Sequence, residues 1–241
     1  MARIHDLPRP GDPAVRREPQ HPVARGSESR QDATGAPPTP AEFALAPTIG
    51  VLGVQGDVSE HAAALERAGA RVVWVRRPED LEAVDGLVLP GGESTTLRRL
   101  LDYEGLLAAV RRRSEEGMPM FGTCAGAILL ATDVLGAPAP HLSLVPMTVA
   151  RNAYGRQRES FAADLDVEGL EGGPFHAVFI RAPWIEEAGP EVEVLAEVDG
   201  HPVLAREGRF LVAAFHPELT DDTRLHAMFL DLVREGDVVR A

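Results

Sequence analysis

The chain carries a single cysteine, Cys124, in surroundings that suit a nucleophile. Met120-Phe121 leads into Gly122-Thr123-Cys124-Ala125-Gly126, and the apolar run Ala127-Ile128-Leu129-Leu130 follows. Short strand, Gly-x-Cys-x-Gly turn and apolar helix form the context of a nucleophile elbow, with sulfur in place of the serine hydroxyl. The two glycines permit a tight, strained turn and close packing of helix on strand. The helix N-terminus then turns its positive dipole end and free N–H groups toward the sulfur, which favours the thiolate. A small buried core thiol is the plain alternative for a free cysteine, and the flanking residues weigh against it.

A thiol nucleophile needs an imidazole to take its proton, and that imidazole needs an acceptor to fix its tautomer. Far downstream, the apolar run Phe210-Leu211-Val212-Ala213-Ala214-Phe215 delivers His216-Pro217-Glu218. His-Pro-Glu alone also fits an ordinary turn; with the elbow it completes a candidate catalytic set of Cys124, His216 and Glu218. Pro217 stiffens the backbone between the last two.

Other segments can serve that set. Pro90-Gly91-Gly92-Glu93-Ser94 follows another apolar run, and backbone N–H groups there can face the thiol. The N–H of Gly92 with that of Ala125 would make an oxyanion hole for a tetrahedral intermediate. The same stretch also reads as a strand-to-helix turn capped by Ser94, and the two readings are compatible. Arg181 ends the run Phe179-Ile180, while Arg151 and Arg156 flank a polar, Gly-containing loop. A guanidinium can hold a carboxylate through two parallel hydrogen bonds, although exposed arginines are common on any surface. The remaining histidines show no metal-ligand spacing, so no metal site is expected, nor any cofactor. His61 stands apart because Gln55-Gly56 and Glu60-His61 open the first helix beside the presumed site.

The elements that must position these groups are legible as short apolar runs. Thr48–Val54, Arg71–Val75, Gly86–Pro90 and Pro119–Phe121 read as strands, and helices are predicted over 59–68, 95–101, 106–116 and beyond Cys124. Continuous apolar strands alternating with helices imply an α/β fold: a mostly parallel sheet with helices on both faces. Loops at the carboxyl ends of such strands build the ligand site. Gln55-Gly56, Gly91–Ser94, Cys124 and His216 all follow strands and are expected to converge on one edge. From about residue 141 the chain becomes strand-rich, with runs at 144–149, 175–181, 192–198, 202–206 and 210–215, and a last helix over 222–234.

Composition narrows the function classes. Residues 1–47 are rich in Pro, Arg, Ser and acids, lack apolar periodicity and are expected to be a disordered extension. Residues 48–241 then form one domain. The net charge of -13 argues against a general nucleic-acid partner. No apolar run nears the ~20 residues of a membrane span, and no signal-peptide core is present. One free cysteine suits a reducing cytoplasm.

Taken together, Gly-Thr-Cys-Ala-Gly and His-Pro-Glu resemble the triad-type glutamine amidotransferases. Five further segments are similar to the glutaminase subunits of pyridoxal 5'-phosphate synthase: Gly50–Gly56, Leu89–Thr96, Arg151–Gln157, Phe179–Pro183 and Phe215–Thr220. The resemblance runs from about Ile49 to the last helix and leaves out the N-terminal extension. It departs at Ala153-Tyr154, where many relatives carry Ser-Phe. It implies a flavodoxin-like class I amidotransferase fold and hydrolysis of L-glutamine to glutamate and ammonia through a thioester on Cys124. His216 would act as base and then acid, oriented by Glu218. Gly92, Glu93, Ser94, Arg151, Ile180 and Arg181 would contact glutamine. Ammonia would pass to a pyridoxal 5'-phosphate synthase subunit in a large hetero-oligomer, with the partner organising the oxyanion hole and docking near the Gln55-Gly56 helix. A stand-alone cysteine hydrolase and a non-catalytic regulatory module are the other readings.

Overall fold

The computed structural model describes residues 3–6, 46–102, 105–136, 142–151 and 160–240. Chain order begins with strand β1 (Arg3–Asp6), β2 (Thr48–Leu52), helix α1 (Val58–Arg67), β3 (Arg71–Val75) and β4 (Gly86–Leu89). Helices α2 (Ser94–Leu101) and α3 (Leu106–Glu115) follow, then β5 (Met120–Thr123), α4 (Ala125–Leu130), β6 (Ala131–Leu135) and β7 (Val145–Ala150). The remainder is β8 (Ser160–Leu165), β9 (Phe175–Ile180), β10 (Trp184–Ala188), β11 (Glu193–Val198), β12 (His201–Glu207), β13 (Phe210–Ala213) and α5 (Arg224–Arg240).

The main sheet has the order β11-β12-β13-β5-β4-β2-β3. From β13 to β3 the pairs are parallel, and β12 and β11 add an antiparallel edge. Every residue of β2, β4, β5 and β13 is buried, which is why these strands read as unbroken apolar runs. Their side chains still alternate between the faces. Val51, Val88 and Phe121 join Leu65 of α1 and Phe229 of α5 in one core. Leu52, Leu89 and Met120 join Leu97 of α2, Val110 of α3 and Leu130 of α4 in the other. Helices thus cover both faces, as the alternation of elements requires.

Four strands escape the sequence pattern. Ala131–Leu135 follows α4 with no breaker, so it reads as more helix; the chain turns extended at Ala131 (φ -61, ψ 148) instead. Ser160–Leu165 contains Ala162-Ala163 and Asp164, poor strand formers, and gains its state by pairing with β9. Trp184–Ala188 carries Glu186-Glu187 and pairs with β7 through an irregular register, as edge strands tolerate. Within the segment read as a disordered extension, Arg3–Asp6 is a strand on the free edge of β8. Residues 7–45 lie outside the described part.

Candidate active site

The elbow takes its shape from one strained residue. Cys124 adopts φ 46 and ψ -103 between β5 and α4, a conformation a non-glycine residue holds only when its surroundings over-determine it. Its N–H donates to the Ala213 carbonyl at 2.9 Å, tying it to the end of β13, the strand leading to His216. The two glycines of the motif do not supply the strained turn. Their role is close approach: a Cβ on Gly126 would lie 1.9 Å from the Leu89 carbonyl oxygen, and one on Gly122 would lie 2.7 Å from Leu130. Their lack of side chains lets α4 seat against β4 and β5.

His216 and Glu218 are both nearly inaccessible to water, at 5 % and 4 % exposure. Imidazole Nδ1 and Glu218 Oε1 are 2.7 Å apart, and the ring lines the same cavity as Cys124. A second carboxylate, Asp57 Oδ2, lies 3.3 Å from the same Nδ1. Burial alone would lower the proton affinity of His216; its polar neighbours Asp57, Cys124 and Glu218 outweigh it and push the pKa up to about 12. Burial raises the Glu218 pKa against the opposing pull of His216. Asp57 is lowered, chiefly by its hydrogen bond to His216.

Behind this set lies a buried pair of imidazoles. His61 Nε2 is 3.0 Å from Thr123 Oγ1 and 3.2 Å from Glu218 Oε2, and its Nδ1 is 3.1 Å from His226 Nε2. The His61–Glu218 approach lacks hydrogen-bond alignment, so Glu218 Oε2 has no hydrogen-bond partner among the described residues. Burial lowers the pKa of His61 well below 6.5 and that of His226 to about 4, keeping both neutral.

These shifts give the stability a two-sided pH dependence. His216, raised from 6.5 to about 12, contributes stability in full below pH 6.5 and loses it as pH rises through that window. His226, lowered from 6.5 to about 4, reduces stability as pH falls through that range, because the unfolded chain takes the proton first. The melting temperature is therefore expected to decline on either side of near-neutral pH in a thermal scan. His216→Asn should flatten the alkaline limb, and an unchanged limb would refute this assignment.

Asp57, Gly92, Cys124, Arg151, Arg181 and His216 line one cavity of about 440 Å³, together with Glu93, Ser94, Ala125 and Ile180. Most of the residues singled out around the thiol thus meet on one edge, while Glu218 supports His216 from behind. Arg181 also has a left-handed backbone, φ 45, and the preceding Ile180 carbonyl is 3.9 Å from the Cys124 sulfur. Glu93, not Ser94, caps α2: its carboxylate accepts from the N–H groups of Thr95 and Thr96. The hydrogen bond from the Thr96 hydroxyl is the foremost cause of its pKa of about 2. The Gln55 carboxamide, with its oxygen 3.1 Å from the Glu93 N–H and its nitrogen 3.2 Å from the Glu93 carbonyl, clamps this loop from β2. Arg156 lies outside the described residues. A larger hollow of about 710 Å³ beside α5 contains no nucleophile.

Among the described residues, Asp57, His216 and Glu218 are the one group whose possible metal-ligand atoms fall within 4.8 Å of one another. Their arrangement, a ring nitrogen at hydrogen-bond distance from Glu218 with Asp57 beside it, suits a protonated imidazole better than a metal ion. No helix among the described residues is long and apolar enough to cross a membrane.

Residues 51–235 match the model of the SNO glutamine amidotransferase family. The chain belongs to this glutamine amidotransferase family. It is 54% identical over 194 residues to the pyridoxal 5'-phosphate synthase subunit PdxT of Mycobacteroides abscessus, covering 80% of this chain and 100% of the relative. It is 57% identical over 188 residues to the subunit of that name from Geobacillus kaustophilus, covering 78% and 95%. A crystal structure of a glutamine amidotransferase superposes with a TM-score of 0.74 at 52% identity, over 77% of this chain and 98% of that one. The structure of PurLQS from Thermotoga maritima, at 16% identity and a TM-score of 0.55, shares the fold over 81% of this chain and 99% of that one.

Within this amidotransferase, two groups next to the site were not singled out in the sequence. Asp57 reads as part of the turn after β2, although its place at a strand's carboxyl end was a usable signal. His226 lies on α5, and only packing brings it to His61.

Proposed function

We propose that this chain is the glutaminase subunit of a pyridoxal 5'-phosphate synthase, releasing ammonia from L-glutamine through a thioester on Cys124. The observation that carries the reading is a strained cysteine at a helix N-terminus, sharing one cavity with an imidazole that a buried glutamate holds at 2.7 Å. Family membership and relatives bearing that subunit's name support it.

In this mechanism the thiol proton has already passed to His216, and the Sγ thiolate attacks the γ-carboxamide carbon of glutamine. The oxyanion is held by the N–H groups of Ala125 and Gly92. On collapse His216 returns the proton to the leaving nitrogen, ammonia departs and the γ-glutamyl thioester remains. Water, deprotonated by His216, then opens the thioester and frees glutamate. Glu218 keeps the ring oriented. Arg151 and Arg181 are suited to the substrate's α-carboxylate, and the Gly92–Ser94 loop with Ile180 lines its path. Ammonia passes to a separate synthase subunit, in a hetero-oligomer within the cytoplasm.

Glutamate release should appear when the chain is assayed with its synthase subunit and L-glutamine. Equal release without that subunit would favour a free-standing hydrolase, and no release in either condition would favour a non-catalytic module.

A further inference from the structure

Asp57 occupies the N-cap position of α1, where an aspartate ordinarily accepts hydrogen bonds from N–H groups of the first turn. Its side chain makes no such bond. The carboxylate turns instead to the imidazole of His216, 3.3 Å from Nδ1. That nitrogen therefore faces two carboxylate oxygens, the nearer being Glu218 Oε1 at 2.7 Å. The two acids differ in setting. The Glu218 side chain is fully buried, whereas that of Asp57 is 39% exposed and opens on the cavity containing Cys124. The approach is made possible by Gly91, where a Cβ would lie 2.5 Å from His216 Cε1 and 3.4 Å from Asp57 Oδ2.

We propose that Asp57 is a positioning residue for the reaction: a second, solvent-facing carboxylate that steadies the His216 ring toward Cys124 and stabilises the imidazolium formed on proton transfer. The proposal rests on the reading of Cys124 and His216 as nucleophile and base. Its physical basis is a division between the two acids. Burial disfavours the ionised form of Glu218, so that residue supplies direction at the expense of charge. Asp57 keeps contact with water and remains ionised readily, so it supplies the charge. Among the other groups facing His216, His61 on α1 is held neutral by burial. Cys124 faces the ring from the elbow, and Glu93, Arg151 and Arg181 line the same cavity.

The test uses the full chain and its variants Asp57→Asn, Asp57→Glu and His216→Asn. Ring titration of labelled histidine is followed by NMR, with the His216 signal identified by its loss in His216→Asn. Alkylation of Cys124 by iodoacetamide is measured against pH, and the chain's single cysteine makes that signal unambiguous. Asp57→Asn should release the His216 proton about one pH unit earlier, the lower range for loss of a nearby charge. It should shift the alkaline limb of the alkylation profile by the same amount. Asp57→Glu should recover most of both effects, and with them the small fall in melting temperature expected from the lost contact with His216, since Asp57 makes no capping bond. An unchanged titration and profile in Asp57→Asn would overturn the proposal, as would a loss accompanied by a lower melting temperature that Asp57→Glu does not rescue. If His216→Asn itself left alkylation unchanged, the nucleophile–base reading would fail; if it altered alkylation and Asp57→Asn did not, only the role of Asp57 would.

Discussion

Replacing Cys124 with alanine is expected to reduce glutamate release from L-glutamine by about 10⁴-fold or more, as loss of a covalent nucleophile does in comparable sets. Without sulfur there is no thioester, and the remaining cavity can only bind and polarise the substrate. The fold should survive, since alanine removes one buried atom and inherits the backbone conformation already imposed by the Ala213 hydrogen bond. His216→Asn should cost activity on a similar scale, and the double variant should lose little more than either single one, because the two act as a unit. The measurement is glutamate release with the synthase subunit present, alongside a thermal scan. Retention of more than about a hundredth of the activity in a well-folded Cys124→Ala would rule out Cys124 as nucleophile, since it would exceed the residual catalysis such variants show.

The second large effect is on stability. Gly126→Ala places a Cβ 1.9 Å from the Leu89 carbonyl oxygen and 2.7 Å from its carbon. Those are backbone atoms of a fully buried central strand, so no side chain can swing away. Relief requires α4 to lift from the sheet, and overpacking of this kind typically costs about 3 kcal/mol. For a domain of this size that is roughly 6–12 °C in melting temperature. Gly236→Ala on α5 is the control: the nearest atom to its Cβ would be 3.7 Å away on Pro119, and helical alanine is favoured over glycine. A Gly126→Ala protein melting with wild type would show that the elbow helix is free to move, contrary to the close contact seen here.

Much of this site was legible because its residues follow strands. Buried parallel strands must be continuous apolar runs, so their carboxyl ends can be located one by one. Parallel pairing of β2, β4, β5 and β13 then brings Gln55, Gly92, Cys124 and His216 to one edge. Side-chain type and position were enough to single out Cys124, His216 and Glu218 as a candidate set, and the fold sets Glu218 2.7 Å from His216, which shares a cavity edge with Cys124. Likewise, the family resemblance carried by local motifs agreed with the match over residues 51–235.

What the chain's own letters could not supply is whatever depends on distant segments meeting. Ser160–Leu165 has weak intrinsic strand preference and becomes a strand because β9 supplies its hydrogen bonds. Arg3–Asp6 pairs with that strand across more than 150 residues of chain. The strain was assigned to the glycines from composition, yet close packing of α4 places it on Cys124. Asp57 was one polar residue in a turn until the fold set it against His216, and His61 and His226 became partners only when α1 and α5 packed on the same face of the sheet. Residue type and local spacing therefore determined the chemistry available to this protein and the elements that carry it. Tertiary structure decided which groups share a proton, because proton affinity depends on neighbours and burial within a few ångströms, and neither is encoded in adjacent residues.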